Sequence, residues 1–217
     1  LLAAFKGHLS IVELLISKGA NIHEKDNDGN TPILLVSSQG HLSVVELLLS
    51  RGANVHDKDK YGNTPIIWAA VKGHVSVVEL LLSRGADIHD RDNDGRTPIL
   101  EASQHGRESV VELLLSRGAN VHDRDRDGNT CVILLLSLQC PRTYSSTPMI
   151  SVVELLISRG ANIHEKERYG NTAIIKASYN GNISIVKLLI SKGANVHDKD
   201  NNGYTPISLA SRNGHLS

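Results

Sequence analysis

The sequence predicts an all-α solenoid of stacked helix-turn-helix units. The first observation is a Gly-Ala pair that recurs at Gly19, Gly52, Gly85, Gly118, Gly160 and Gly193. The intervals are 33 residues, except for one of 42 between Gly118 and Gly160. The second is that two short helical patterns fit inside each interval, and the third is a polar, glycine-containing turn between intervals. A fixed period of this length is typical of stacked arrays rather than of one globular core.

In residues 26–58, as in most of the repeats, the first helix begins at a Thr-Pro pair; in the fifth repeat Cys131 replaces the proline. The Thr31 side chain can accept a hydrogen bond from a backbone N–H of the first turn, and Pro32 needs no N–H there. Residues 33–38 continue the helix, and Gly40 ends it.

The second helix of the same interval covers residues 44–49, which are apolar on more than one face. Such a pattern is expected for a helix packed between neighbours. Ser43 and Glu46 have the spacing of a capping box, and Gly52 provides a left-handed C-terminal cap. Residues 57–62 are rich in Asp, Lys and Gly, which predicts a projecting turn tip before the next repeat.

These signals together resemble the ankyrin repeat: Thr-Pro-Ile, Gly-His, Val-Val-Glu-Leu-Leu-Leu and Gly-Ala at a 33-residue period. The resemblance implies one array over residues 1–217, an ankyrin-repeat solenoid with projecting β-turn or hairpin tips. Its repeats are 1–25 (partial), 26–58, 59–91, 92–124, 125–166, 167–199 and 200–217 (partial). Because the chain opens and closes inside a repeat, we expect both ends to be cuts through a longer array.

The histidines of this chain occupy other repeat positions than the histidine typical of the family. Ankyrin repeats usually carry histidine after Thr-Pro-Leu, where this chain has apolar residues such as Leu34 and Ile67. The inter-repeat hydrogen bond that the family makes with that histidine is therefore not expected. Histidine instead follows Gly-Ala, as at His56 and His89, and a second column follows glycine, as at His41 and His74.

Composition gives no indication of nucleic acid, membrane or metal as a partner. Lys plus Arg and Asp plus Glu are 23 each, so no basic stripe is expected. The longest apolar run, residues 131–138, is far below the ~20 residues that span a bilayer. Equivalent histidines in stacked helices stand about 10 Å apart, too far to share one zinc ion. No secretory signal or disulfide framework is visible, and together with the resemblance this favours an intracellular, cytoplasmic location.

No catalytic motif is present. The sequence lacks a phosphate-binding loop, a His-Glu-x-x-His pair and a nucleophile elbow, and its aspartate pairs lie on exposed turns. We therefore expect a non-enzymatic protein without a cofactor or a small-molecule substrate.

The few aromatic residues indicate where a partner would bind. They are Phe5, Tyr61, Trp68, Tyr144, Tyr169, Tyr179 and Tyr204, and none falls in a repeated apolar core position. Trp68 lies where other repeats have Leu35, Glu101 and Lys176, a variety that predicts an exposed position lining the concave groove of an ankyrin array. The two candidate patches are Tyr61, Trp68, Lys72, Arg96 and Glu101, and Tyr169, Lys176, Tyr179 and Tyr204.

The resemblance implies a module that binds a partner protein on its concave groove. One alternative is the targeting arm of a larger enzyme, channel or ligase adaptor, and another is a structural spacer. The aromatic residues also fit a simpler interpretation, in which they only cover solvent-facing surface.

The fifth repeat, residues 125–166, is irregular. Nine extra residues near 140–149 predict a loop between its two helices, either a recognition element with Tyr144 exposed or a tolerated degenerate stretch. Leu135 and Leu136 replace the Ala or Ser pairs of other repeats, so overpacking is expected to make this repeat the weakest part of the array.

Overall fold

The computed structural model describes residues 1–137 and 147–215, and within these ranges all regular structure is helical. The helices are α1 (Leu2–Phe5), α2 (Leu9–Ser17), α3 (Pro32–Gln39), α4 (Leu42–Ser50), α5 (Pro65–Lys72), α6 (Val75–Ser83), α7 (Pro98–Gln104), α8 (Glu108–Ser116), α9 (Cys131–Ser137), α10 (Thr147–Ser158), α11 (Ala173–Tyr179), α12 (Ile183–Ser191) and α13 (Pro206–Arg212). The predicted all-α class and two helices per repeat are confirmed.

The chain forms two compact units, residues 1–102 with 109–119 and residues 103–108 with 120–217. In the first unit, α1, α3 and α5 pack against one another in order, and α2, α4 and α6 form a second row behind them. In the second unit, α9, α11 and α13 form the same kind of row, with α10 and α12 behind it. Each unit is therefore a two-layer stack of helix pairs.

The core of each stack is built from the same positions in every repeat. In the second repeat, Ile33 and Val36 of α3 and Val45 and Leu48 of α4 are fully buried. Apolar residues one period later, such as Ile66 and Leu81, are buried as well. Because neighbouring repeats cover both sides of each helix pair, the apolar residues extend around more than one helix face.

The helix ends confirm the glycine predictions and contradict the capping ones. Gly40 and Gly52 have φ values of 78° and 91°, the left-handed conformation that glycine adopts without strain. The Thr31 hydroxyl, by contrast, is buried without a hydrogen-bond partner, because it faces the packed interior instead of the first turn. The predicted capping box is also wrong, because α4 begins at Leu42 and Ser43 lies inside the helix.

The second histidine column provides inter-repeat hydrogen bonds. The Nε2 atoms of His41 and His74 lie 3.1 Å from the carbonyl oxygens of Phe5 and Ser38, at the end of the first helix in the preceding repeat. His215 makes the same contact with the Tyr179 carbonyl at 3.0 Å. A carbonyl oxygen can only accept, so Nε2 must carry the proton in each pair.

The first helix of the fifth repeat is buried over its whole length up to Leu136, including Leu135. Its second helix, α10, has 12 residues where α2, α4 and α6 have nine. Residues 147–149, predicted to lie in the inserted loop, are therefore helical. Cys140, Tyr144 and the rest of the predicted loop lie outside the described residues.

Candidate functional site

One buried carboxylate organises the turn tip of the third repeat. The Asp59 Oδ1 atom accepts hydrogen bonds from the backbone N–H groups of Tyr61 and Asn63 at 2.8 and 2.9 Å. Its Oδ2 atom accepts from the Asn63 side-chain amide at 3.0 Å and from the Trp68 indole N–H at 2.9 Å. The same carboxylate therefore fixes the turn backbone and the indole ring of α5.

Tyr61 projects from this tip and is 56% exposed. The Lys60 ammonium lies 4.9 Å from the Tyr61 ring centroid and pairs with the Asp28 carboxylate of the preceding repeat. The hydrogen bond to Asp28 raises the pKa of Lys60 above its ordinary value. On the other side, the backbone N–H of Asn93 donates to the Tyr61 carbonyl at 2.9 Å, so both neighbouring repeats hold the tip in place.

A cavity of about 320 Å³ lies beside Tyr61. Its lining comprises Asp28, Asn30, Leu34, Leu35, Ser38, Gln39, Asp59, Tyr61, Trp68 and Lys72. The structure thus brings together three residues of the first predicted patch, Tyr61, Trp68 and Lys72. The Lys72 ammonium lies 6.0 Å from the centroid of the Trp68 ring, which is half-buried.

The other two residues of that patch pair with each other. Arg96 Nη1 lies 3.1 Å from Glu101 Oε1, and neither residue lines the cavity. Only 7% of the Glu101 side chain is exposed, so the prediction of an exposed side chain at this position is wrong for Glu101. The physical reason is the partner: the Arg96 guanidinium, 24% exposed, neutralises the carboxylate and allows its burial.

The tip of the sixth repeat, in the second compact unit, has the same construction as the tip that carries Tyr61. Tyr169 is 56% exposed, and the Arg168 guanidinium carbon lies 5.3 Å from its ring centroid. Arg168 Nη1 lies 2.6 Å from Asp127 Oδ1 of the preceding repeat, and the Asn201 N–H donates to the Tyr169 carbonyl at 3.0 Å.

The remaining residues of the second predicted patch are accessible but separate. Tyr179 and Tyr204 are 44% and 39% exposed, and the Arg212 guanidinium carbon lies 5.5 Å from the Tyr204 ring centroid. Lys176 is partly exposed on α11. Within the described residues, no hydrogen bond or ring contact joins these three side chains to one another or to Tyr169.

Sequence reasoning missed part of the cavity lining. Leu35 and Gln39 lie one period before Trp68 and Lys72, so the repeat alignment could have identified both. No sequence signal pointed to the bond from Trp68 to Asp59, because Asp59 belongs to a turn motif common to the repeats.

Residues 1–137 and 147–215 contain neither a cluster of metal ligands nor a helix that could span a membrane. No group of three or more His, Cys, Asp or Glu side chains there is placed to hold a metal ion. No helix in the same ranges is long and apolar enough to cross a membrane.

Comparisons with known proteins agree with the repeat architecture. A family model described as "Ankyrin repeats (3 copies)" matches residues 1–92 and 144–217, and one described as "Ankyrin repeat" matches residues 94–126. No curated protein matches the chain significantly. The fold is similar to the crystal structure of the human ASB11 ankyrin repeat domain, with a TM-score of 0.84 at 24% sequence identity. That alignment covers 96% of this chain and 89% of the solved one.

Proposed function

Because the chain belongs to the ankyrin repeat family, we propose that it binds a partner protein on the surface around Tyr61, Trp68 and Lys72. Ankyrin repeats are in general protein-interaction modules, and the fold is typically a non-enzymatic scaffold. The observation that carries the proposal is Asp59, which hydrogen-bonds the Tyr61 backbone and the Trp68 indole beside a cavity of about 320 Å³.

Pre-organised aromatic residues suit this role. Tyrosine and tryptophan supply much of the binding energy at protein interfaces, and holding them in place before binding lowers the entropy cost of association. Tyr61 is exposed yet fixed through its backbone and through Lys60. Arg96, paired with Glu101 in the same compact unit, is partly exposed.

The second unit contributes a further proposed binding surface, formed by Tyr169, Lys176, Tyr179 and Tyr204. Its support is the tip of Tyr169, which reproduces the arrangement around Tyr61. The proposal treats residues 1–217 as one array without catalytic activity or cofactor, acting inside the cell. The match to a single repeat domain over 96% of the chain supports the one-array assignment.

The test removes the aromatic side chains and measures partner capture. Tyr61→Ala alone and Tyr61→Ala with Trp68→Ala are compared with Phe5→Ala, a control that removes an aromatic ring of the same compact unit outside the cavity lining. Loss of an interface aromatic typically costs 2 kcal/mol or more, which corresponds to roughly 30-fold weaker binding.

We expect partners captured by the wild-type chain to be kept by Phe5→Ala and lost by the Tyr61 and Trp68 variants. Circular dichroism verifies that each variant is folded. Equal capture by all folded variants would contradict the proposal.

A further inference from the structure

We propose that the cavity beside Tyr61 recognises an extended partner segment with an apolar side chain two residues from a carboxylate. The inference rests on the function proposed above and adds the chemistry of the partner. It follows from which charged side chains around the cavity already have hydrogen-bond or ion-pair partners within the protein and which do not.

The cavity lining includes apolar side chains. Leu34 is buried, and Leu35 and Trp68 are half-buried. A volume of about 320 Å³ is at the lower end of the range for ligand pockets, roughly 300–1,000 Å³, and is suited to one or two side chains. An apolar side chain placed there would cover surface of Leu35 and Trp68 that water now contacts.

The carboxylates at the cavity already have partners. Asp59 accepts four hydrogen bonds, from two backbone N–H groups, the Asn63 amide and the Trp68 indole. Asp28 pairs with Lys60. The acceptor positions of Asp59 are therefore occupied, and the charge of Asp28 is balanced by Lys60.

The Lys72 ammonium group, by contrast, is open to a partner. Lys72 is exposed on the last turn of α5, and within the described residues no carboxylate or carbonyl oxygen pairs with its ammonium group. Lys72 is therefore an open cation at the cavity, and an acidic partner group can pair with it without displacing a donor. Charge complementarity between partners determines the specificity and register of binding more than its total affinity.

The spacing of the partner groups follows from the geometry. The Lys72 ammonium lies 6.0 Å from the Trp68 ring centroid. In an extended peptide, side chains two residues apart lie on the same face about 6.6 Å apart. An apolar residue at one position and Glu or Asp two residues away would reach the apolar side chains of the lining and Lys72 together.

Trp68 is the only tryptophan in the chain, so its fluorescence reports on this cavity directly. The 217-residue protein is titrated with three tryptophan-free peptides in which leucine lies two residues from glutamate, glutamine or lysine. We expect saturable changes in Trp68 emission, with the glutamate peptide binding at least roughly threefold tighter than the glutamine peptide at low salt. The lysine peptide should bind most weakly.

Lys72→Gln is expected to remove the preference for the glutamate peptide over the glutamine peptide. The control, Lys187→Gln, removes an exposed lysine of α12 and should keep the preference. Equal or tighter binding of the lysine peptide, or a glutamate preference that survives Lys72→Gln, would overturn the inference and leave the aromatic surface as the proposed binding site. Peptide binding that leaves Trp68 emission unchanged would also overturn it. Whether the surface binds a protein at all is decided separately by the capture experiment with Tyr61→Ala.

Discussion

The candidate site depends on a carboxylate that recurs at every described turn tip. Asp26, in the second repeat, accepts hydrogen bonds from Asn30 in the same way that Asp59 accepts them from Asn63. These bonds, first of all the one from the Asn30 side chain, lower the pKa of Asp26 and keep the turn carboxylate ionised. Only in the third repeat does an indole N–H occupy a further acceptor position. In the third repeat, the carboxylate of this common turn motif therefore also holds the side chain of Trp68.

Cys131 is expected to be chemically inert in the folded protein. It is fully buried, and burial raises the pKa of its thiol to about 12. Because the thiolate is the reactive form, alkylation at pH 8 should leave Cys131 unmodified in the native state and modify it fully in denaturant. Peptide mass spectrometry resolves this cysteine from Cys140. Native-state labelling of Cys131 as fast as that of a free thiol would contradict the burial of α9.

At the scale of the helix pair, glycine and histidine form one contact between neighbouring repeats. A Cβ atom built on Gly40 would lie 2.5 Å from the His74 ring, and one built on Gly7 would lie 2.6 Å from the His41 ring. The histidine packs over the glycine and reaches the carbonyl of the preceding helix. The glycine therefore both ends its own helix and leaves room for the next repeat.

Two alanine substitutions separate these roles. Gly52→Ala places a Cβ in open space, so only the left-handed backbone is penalised, by roughly 1–2 kcal/mol. Gly40→Ala has the same backbone penalty, and it also displaces His74 and weakens its bond to Ser38. We expect Gly40→Ala to lower the free energy of unfolding by about 1–3 kcal/mol more than Gly52→Ala. Denaturant titration measures both, and equal losses would show that the histidine contact contributes nothing.

At the scale of the whole chain, stability in a stacked array is a sum of repeat and neighbour terms, so the weakest repeat can open locally. The fifth repeat is the expected weak point. Its first helix, α9, starts with Cys131 where α3 and α5 start with proline, and it buries Leu135 and Leu136 where α5 has Ala69 and Ala70.

Hydrogen exchange tests this difference. If overpacking costs α9 about 1–3 kcal/mol, its amides should exchange roughly 5–150 times faster than those of α5 under conditions in which exchange follows local opening. Mass spectrometry of peptides from residues 131–137 and 65–72 compares the two helices. The same protection in both would mean that the leucines are accommodated without strain.

The exposed face of α2 predicts self-association. Ile11 and Leu14 are 50% and 58% exposed, and Leu9 and Leu15 beside them are 40% and 47% exposed. Contiguous exposed apolar surface of this kind tends to be covered by another surface. Ile11→Glu with Leu14→Glu should lower the sedimentation coefficient at high protein concentration, whereas the control Ser10→Glu adds charge on the same helix and should not. A wild-type chain that sediments as a monomer over the same range would refute the prediction.

The sequence by itself determined the repeat period, the helix pairs, the rows of core residues and the glycine caps. These features are local or periodic: a left-handed cap needs glycine, and an apolar residue that recurs every 33 positions must occupy the same place in each repeat. The exposure of Tyr61 and Tyr169 was also expected, because both precede the glycine of a projecting turn.

Only the tertiary structure decided which side chains meet, both within a repeat and between neighbouring repeats. It buried Glu101 under Arg96, joined Trp68 to Asp59 and placed Leu35 and Gln39 beside Lys72. It also turned the Thr31 hydroxyl into the interior, against the capping prediction. Each outcome depends on the rotamers of the side chains and on the packing around them, which are set in the folded structure rather than by the local order of residues.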